Sequence, residues 1–300
     1  TPDLYTVKEI SRVIKSGHGV CIFPEGMSSI SGANQPVALG TGKLFKHHKV
    51  PVYYSVIRGG YLTSPKYNLR DRVGHVEVEY DQLFTVEDLE RMTPAEIESK
   101  INHAIYHDDY AWNKIHKHHY DIGENGAEDL EDLLFWCPRC GKQHTMATKG
   151  NTIFCTECGN GATLLDTYEL VPFDDTCVIP ETQTAWFNLE REMIRKEVQQ
   201  EDFVLEEQVQ LGMLPEFELL KNQATSEIIG SGTLRLDRTG LSYTGTKNGE
   251  PFTFHIPSVA LPTYGMCTDL SRFYTFVNGE FVEFYPEHRT VEKFFLTTEE

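Results

Sequence analysis

The sequence predicts a multidomain chain: an α/β portion, then a cysteine ribbon, then a small antiparallel β domain of barrel-like design. Three observations predict it. Helix-like and strand-like apolar patterns alternate over the first third, two Cys-x-x-Cys pairs stand near the middle, and short strands with tight turns fill the last hundred residues. At 300 residues the chain exceeds what one hydrophobic core usually fills, and a 40% hydrophobic fraction with 24% charged residues is ordinary for folded domains. Thr1 in place of Met predicts that the protein continues upstream of this sequence.

In the first portion, Val7, Ile10, Val13 and Ile14 form a helical stripe that Gly17-His18-Gly19 stops. Val20-Cys21-Ile22-Phe23 reads as a short buried strand, broken by Pro24-Glu25-Gly26, which places Glu25 in a turn at the strand's end. After a polar loop, residues 42–48 read as helix and residues 50–57 as a second strand. Val76 and Val78 alternate with charged neighbours, as in a half-buried strand. Thr93-Pro94-Ala95-Glu96 is a capping box with Pro at the first helical position, and the helix it opens carries Ile97, Ile101 and Ile105. A polar region rich in His (His107, His116, His118, His119) closes this portion at about residue 120.

Residues 121–132 read as an acidic linker, 133–170 as the ribbon, and 171–202 as a connecting segment whose helix runs from Trp186 to Val198. From 203 to 300 the pattern is β. Leu234 and Leu236 alternate ahead of the turn Asp237-Arg238-Thr239-Gly240, and Asn278-Gly279 between Phe276-Val277 and Phe281-Val282 is a strong hairpin signal. Phe273, Tyr274, Phe276, Phe281, Phe284 and Tyr285 are expected in the core of this domain.

A net charge of −18 opposes general binding to nucleic acid, and none is expected. The charge is uneven, since residues 1–70 carry nine Lys or Arg against three acids, or +6, leaving −24 for the rest. A basic section in an acidic chain is where a phosphate-bearing ligand would be sought. No apolar run of membrane-spanning length and no secretion signal is present in the sequence. Seven cysteines, four in pairs and three (Cys21, Cys177, Cys267) solitary, suit a reducing compartment, so the expected location is cytoplasmic.

Cys137-Pro138-Arg139-Cys140-Gly141 and Cys155-Thr156-Glu157-Cys158-Gly159 form two knuckles fourteen residues apart. The Gly after each pair permits a tight turn that aims both thiolates at one point, and four sulfurs close a tetrahedral Zn2+ site of structural type. His144 is a rival ligand that a complete Cys set makes unnecessary.

Phe23-Pro24-Glu25-Gly26, followed about twenty-five residues later by Val50-Pro51-Val52, resembles the third and fourth blocks of the 1-acyl-sn-glycerol-3-phosphate acyltransferase family. Gly74-His75-Val76-Glu77-Val78 and the capped helix after it sit where that family has its closing strand and last helix, so the resemblance covers roughly residues 1–115. It implies acyl transfer from acyl-CoA or acyl carrier protein to a lysophospholipid-type hydroxyl, in phospholipid synthesis. Glu25 and Gly26 would bind the acceptor, with Phe23, Pro24, Ser28, Pro51 and Val52 shaping the pocket. The sequence departs from the family at Met27-Ser28-Ser29, where Thr, Arg and Ser are usual; this implies a different acceptor, or Lys43 or Arg58 in place of the Arg.

The family's His-x-x-x-x-Asp pair, whose His is the general base, has no counterpart before Phe23 and is expected upstream of Thr1, so no catalytic residue is assigned within the chain. His103 with Asp108 and His116 with Asp121 match the bare pattern in the wrong place. Gly40-Thr41-Gly42-Lys43 resembles a phosphate-binding loop but has Val37 and Leu44 where Gly and Ser or Thr are needed. The last domain is similar, in strand and turn order, to pleckstrin-homology-like or GRAM-like barrels, which implies a lipid or protein partner there or at the ribbon. Lipid acceptors also imply peripheral contact with the inner face of a membrane. The alternative is a non-catalytic adaptor that binds protein or lipid head groups through the ribbon and the β domain.

Overall fold

A computed structural model describes residues 4–214, 226–261, 265–266 and 269–300; Cys267 lies outside the described residues. The chain divides into two units, one of residues 1–63 with 72–121 and the other of 64–71 with 122–300.

The first unit contains helices α1 (Leu4–Lys15) and α2 (Thr41–His48), strand β1 (Val52–Arg58), a helical turn α3 (Gly60–Thr63), strand β2 (Glu77–Phe84), and helices α4 (Val86–Arg91), α5 (Pro94–Ala104) and α6 (Asp109–His116). Three of the helices start at side-chain caps. Thr85 with Asp88 and Thr93 with Glu96 form capping boxes for α4 and α5, and Asp108 accepts from the Ala111 amide to start α6. β1 pairs antiparallel with β2, from Val52 opposite Phe84 to Arg58 opposite Glu77. One face of the pair joins the core of Val37, Leu83, Phe84, Leu89, Ile97 and Ile101, onto which Val52, Tyr54 and Ile105 pack. At Gly42, α2 approaches α5 so closely that a Cβ would stand 2.1 Å from the Pro94 carbonyl oxygen, a position only Gly can fill.

Three expectations for this unit need correction. Residues 20–23 form no strand, and Phe23 is 85% exposed. A strand needs a partner's backbone, and among the described residues β1 pairs only with β2. Val76 and Val78 are exposed, because Val78 lies opposite Ile57 on the outward face of the two-stranded sheet, beside Tyr53 and Tyr80. The region read as polar and rich in His is in part core: it contains α6, whose Asp109, Tyr110 and Asn113 are buried.

In the second unit, the stretch read as a linker is folded, with Ala127 and Leu130 buried and a helical turn α7 at Leu130–Leu133 that runs past the stretch into buried Leu133 and Leu134. Its acidic residues hid a short apolar repeat. Residues 64–71 join it, with buried Tyr67 donating its hydroxyl to the Gly126 carbonyl at 3.3 Å and Arg70 pairing with Glu128 at 2.8 Å. The ribbon is an antiparallel sheet of four short strands in sequential order, β3 (Met146–Lys149), β4 (Thr152–Cys155), β5 (Gly161–Leu164) and β6 (Leu170–Pro172). Helix α8 (Gln183–Val198) follows, capped by Thr182.

The remainder is a seven-stranded antiparallel half-barrel. Its strands are β7 (Val204–Met213), β8 (Glu227–Asp237), β9 (Gly240–Lys247), β10 (Glu250–Pro257), β11 (Gly265–Met266), β12 (Phe273–Val277) and β13 (Glu280–Pro286), in the order β10-β9-β8-β7-β13-β12-β11. Asn278 and Gly279 both take positive φ (53° and 85°), as a tight hairpin between β12 and β13 requires. Helix α9 (Val291–Glu299) inserts Val291 and Phe294 into a core with Leu211, Leu234, Tyr243, Phe273 and Phe284. Of the six aromatics expected inside, Phe273 and Phe284 are there, Tyr285 is half-buried with its hydroxyl donated to Glu283, and Tyr274, Phe276 and Phe281 cluster against one another outside that core. Alternation along β12 sends Thr275 and Val277 to the same side as Phe273, and so sends Tyr274 and Phe276 outward.

Candidate metal centre

The four paired cysteines converge. Each Cys-x-x-Cys closes with the same two backbone bonds. Gly141 N donates to Cys137 O and Gly159 N to Cys155 O, both at 2.9 Å, while Cys137 N donates to Lys142 O (2.9 Å) and Cys155 N to Asn160 O (2.8 Å). Both glycines sit at φ 74°, where a side chain would be strained. The turns thereby present one buried and one more exposed thiol each, Cys137 with Cys140 and Cys155 with Cys158, and the four sulfurs lie within 4.8 Å of one another. Sγ–Sγ separations are 3.7 Å for Cys137 and Cys158 and 3.8 Å for Cys140 and Cys155. Bonds of 2.3 Å in a tetrahedron place sulfurs roughly 3.8 Å apart, so the cluster is sized to hold one metal ion.

Other residues near the sulfurs had no signal beyond adjacency. Asn160, fully buried, lies with its amide Nδ2 3.8 Å from Cys137 Sγ and is anchored to the Val178 backbone by bonds of 2.9 and 2.6 Å. Thr145 Oγ1 is 3.4 Å from Cys155 Sγ. Such contacts orient and stabilise thiolates. Burial pushes the pKa of the Cys137 thiol up, a cost to the thiolate that a bound cation would offset. Trp136 pins the first knuckle from behind: its indole donates to Gly141 O, and its own amide donates to buried Glu190 of α8, both at 2.9 Å. His144 is not drawn in; its ring stacks on Phe135 at 5.0 Å.

The residues of the F-P-E-G segment are placed as follows. Gly26 N donates to Phe23 O at 3.2 Å, closing a turn with Pro24 at its second position. Pro24 O accepts from Ala38 N at 2.7 Å, and Glu25 Oε2 accepts from Gln35 N at 2.7 Å, so the half-buried carboxylate clasps its own loop. The other Glu25 oxygen accepts no bond among the described residues. Ser28 is exposed, Pro51 is exposed just ahead of β1, and Val52 packs on the core.

The basic section is largely engaged within each unit. Lys46 caps three carbonyls at the end of α4 (Leu89, Glu90, Met92), and Lys49 and Arg58 pair with Glu90 and Glu79 at 3.7 and 3.5 Å, leaving Lys43 exposed. The phosphate-loop-like amides of Gly40 and Gly42 are taken by Glu98 Oε1 at 3.1 and 3.0 Å, a carboxylate where an anion would sit. Asp108 of the rejected His103 pair is the α6 cap. No helix among the described residues is long and apolar enough to cross a membrane. No family model, no curated protein and no solved structure matches the chain.

Proposed function

We propose that this chain is the acceptor-side portion of an acyltransferase carried on a zinc-stabilised accessory unit. The reaction moves an acyl group from acyl-CoA or acyl carrier protein to the hydroxyl of a lysophospholipid-like acceptor, in the cytoplasm and at a membrane's inner face. One observation carries the reading: in the F-P-E-G turn, Glu25 is half-buried and tethered through one oxygen to Gln35 N, which leaves the other able to accept a bond from an acceptor hydroxyl. The general base comes from a His/Asp block that these 300 residues do not contain. The ion at the four cysteines is Zn2+ in a structural role, since four thiolates leave no position for water or substrate.

The test is acyl transfer by the product of the whole reading frame, with either donor and lysophosphatidate. Glu25→Gln should raise the acceptor KM about tenfold, equivalent to about 1.4 kcal/mol. No transfer by the unsubstituted protein with any lysophospholipid would overturn the enzyme reading. A second reading, a non-catalytic adaptor, is favoured by the 85% exposure of Phe23, a residue expected to shape the acceptor pocket.

A further inference from the structure

The first unit brings together a second set of donor atoms that owes nothing to the cysteines. His75 and Glu77, two residues apart at the entry to β2, lie on one side of an extended chain, the spacing that sends side chains the same way. His118, just past the end of α6, meets them, so that one donor atom from each of the three lies within 4.8 Å of the others. His75 Nε2 and Glu77 Oε1 are 3.0 Å apart. His118 Nε2 is buried and makes no hydrogen bond among the described residues, a costly arrangement for an imidazole nitrogen unless something coordinates it.

The three side chains stand on a fixed frame. The fully buried Asn113 grips His118 from both sides, donating Nδ2 to its carbonyl and accepting from its amide, each at 2.9 Å. Tyr120 donates its hydroxyl to His75 O at 2.7 Å, and its ring fits there because residue 74 is Gly, where a Cβ would stand 2.0 Å from it. The imidazoles of His75 and His118 stack at 4.0 Å, and Trp112 lies against His118 at 5.2 Å. His116 stacks further along the column at 5.7 Å from His118 but contributes no donor to the group.

The geometry points to a binding site for one divalent first-row transition ion at His75, Glu77 and His118. Two imidazoles and a carboxylate are the donor set that zinc, iron(II), cobalt and nickel prefer, and three protein ligands leave a position open. Tetrahedral bonds near 2.1 Å set donors roughly 3.4 Å apart, within the spacing of this group, and binding would turn the stacked imidazoles so that both lone pairs face the ion. His75 and Glu77 are 46% and 48% exposed, which supplies the route in. Nitrogen and oxygen donors make this site chemically distinct from the all-sulfur cluster of the other unit.

Equilibrium dialysis of the full chain against Zn2+, with metal counted per chain, tests the assignment. Two equivalents are expected. His118→Ala and His75→Ala should each weaken the second equivalent at least tenfold and leave the first, whereas Cys137→Ser should do the reverse. Because His75 is partly exposed, its variant keeps the fold, checked by circular dichroism, even if His118→Ala does not. Co2+ at this site should add visible d–d bands with no sulfur-to-cobalt charge-transfer band, and those bands should persist in Cys137→Ser. A single equivalent in the unsubstituted protein, or loss of the second equivalent to the same extent in a control variant of exposed His103, would overturn the proposal.

Discussion

The two cysteine knuckles and the F-P-E-G turn each combine a chemically capable side chain with a glycine at positive φ, yet they differ in what the turn accomplishes. In the knuckles the turn itself makes the site: identical backbone bonds and identical glycine angles aim the thiols of both pairs. The one long-range condition is that the pairs meet. In the F-P-E-G turn, local bonds orient Glu25 toward Gln35 of its own loop, and any role in chemistry depends on what faces its second oxygen. A motif that builds its own geometry is legible from spacing, while one that depends on its surroundings is legible only as a turn.

The largest effect expected from this contrast is at the knuckles. Cys137→Ser should remove the bound zinc and cost on the order of 4 kcal/mol or more, read by metal content and thermal unfolding; an unchanged Tm would break the contrast. A smaller effect sharpens it by asking what holds the ribbon's neighbourhood apart from the metal. Glu292 of α9 is fully buried, and loss of hydration holds its carboxyl well above the ordinary range, opposed in part by Arg191. The unfolded chain releases this proton near pH 4.5 and the folded chain only at higher pH. Stability is therefore full below that pH and declines as pH rises toward the folded value. Glu292→Gln should raise Tm at neutral pH, by about 2–4 °C for each kcal/mol recovered, and leave it unchanged in acid. An equal shift at both pH values would count against this account. The smallest effect is at the turn, where Glu25→Ala removes the acceptor for Gln35 N and should cost about 1 kcal/mol in a denaturant titration. A loss as large as that of Cys137→Ser would mean that the turn, too, is structural at its heart.

The same distinction explains what was legible elsewhere. Thr93 to Glu96 announced α5, and Asn278-Gly279 announced its hairpin, because both signals act within four residues. Asn248-Gly249 joins β9 to β10 with the same pair of positive φ values, and the same signal marks it in the sequence. The strand expected at residues 20–23 failed because apolar residues specify a strand only when another strand is there to pair with. The meeting of His118 with His75 and Glu77 was invisible for a related reason, since it joins the start of β2 to the end of α6, and neither segment encodes the other's position. His116, His118 and His119, which adjacency in sequence groups together, are divided by the end of α6, where Lys117 turns the chain at φ 58°.

Helix α8 serves the second unit as a common beam. Trp186 donates its indole proton to the Trp136 carbonyl one residue ahead of the first knuckle, Glu190 receives the Trp136 amide, and Arg191 reaches Glu299 at the far end of α9. Anyone splitting the gene between the ribbon and the half-barrel, at residue 170 or 202, would hand this beam to one fragment and strip the other of its support. A protease nick there should likewise release nothing, and the severed halves should elute as one species from a sizing column.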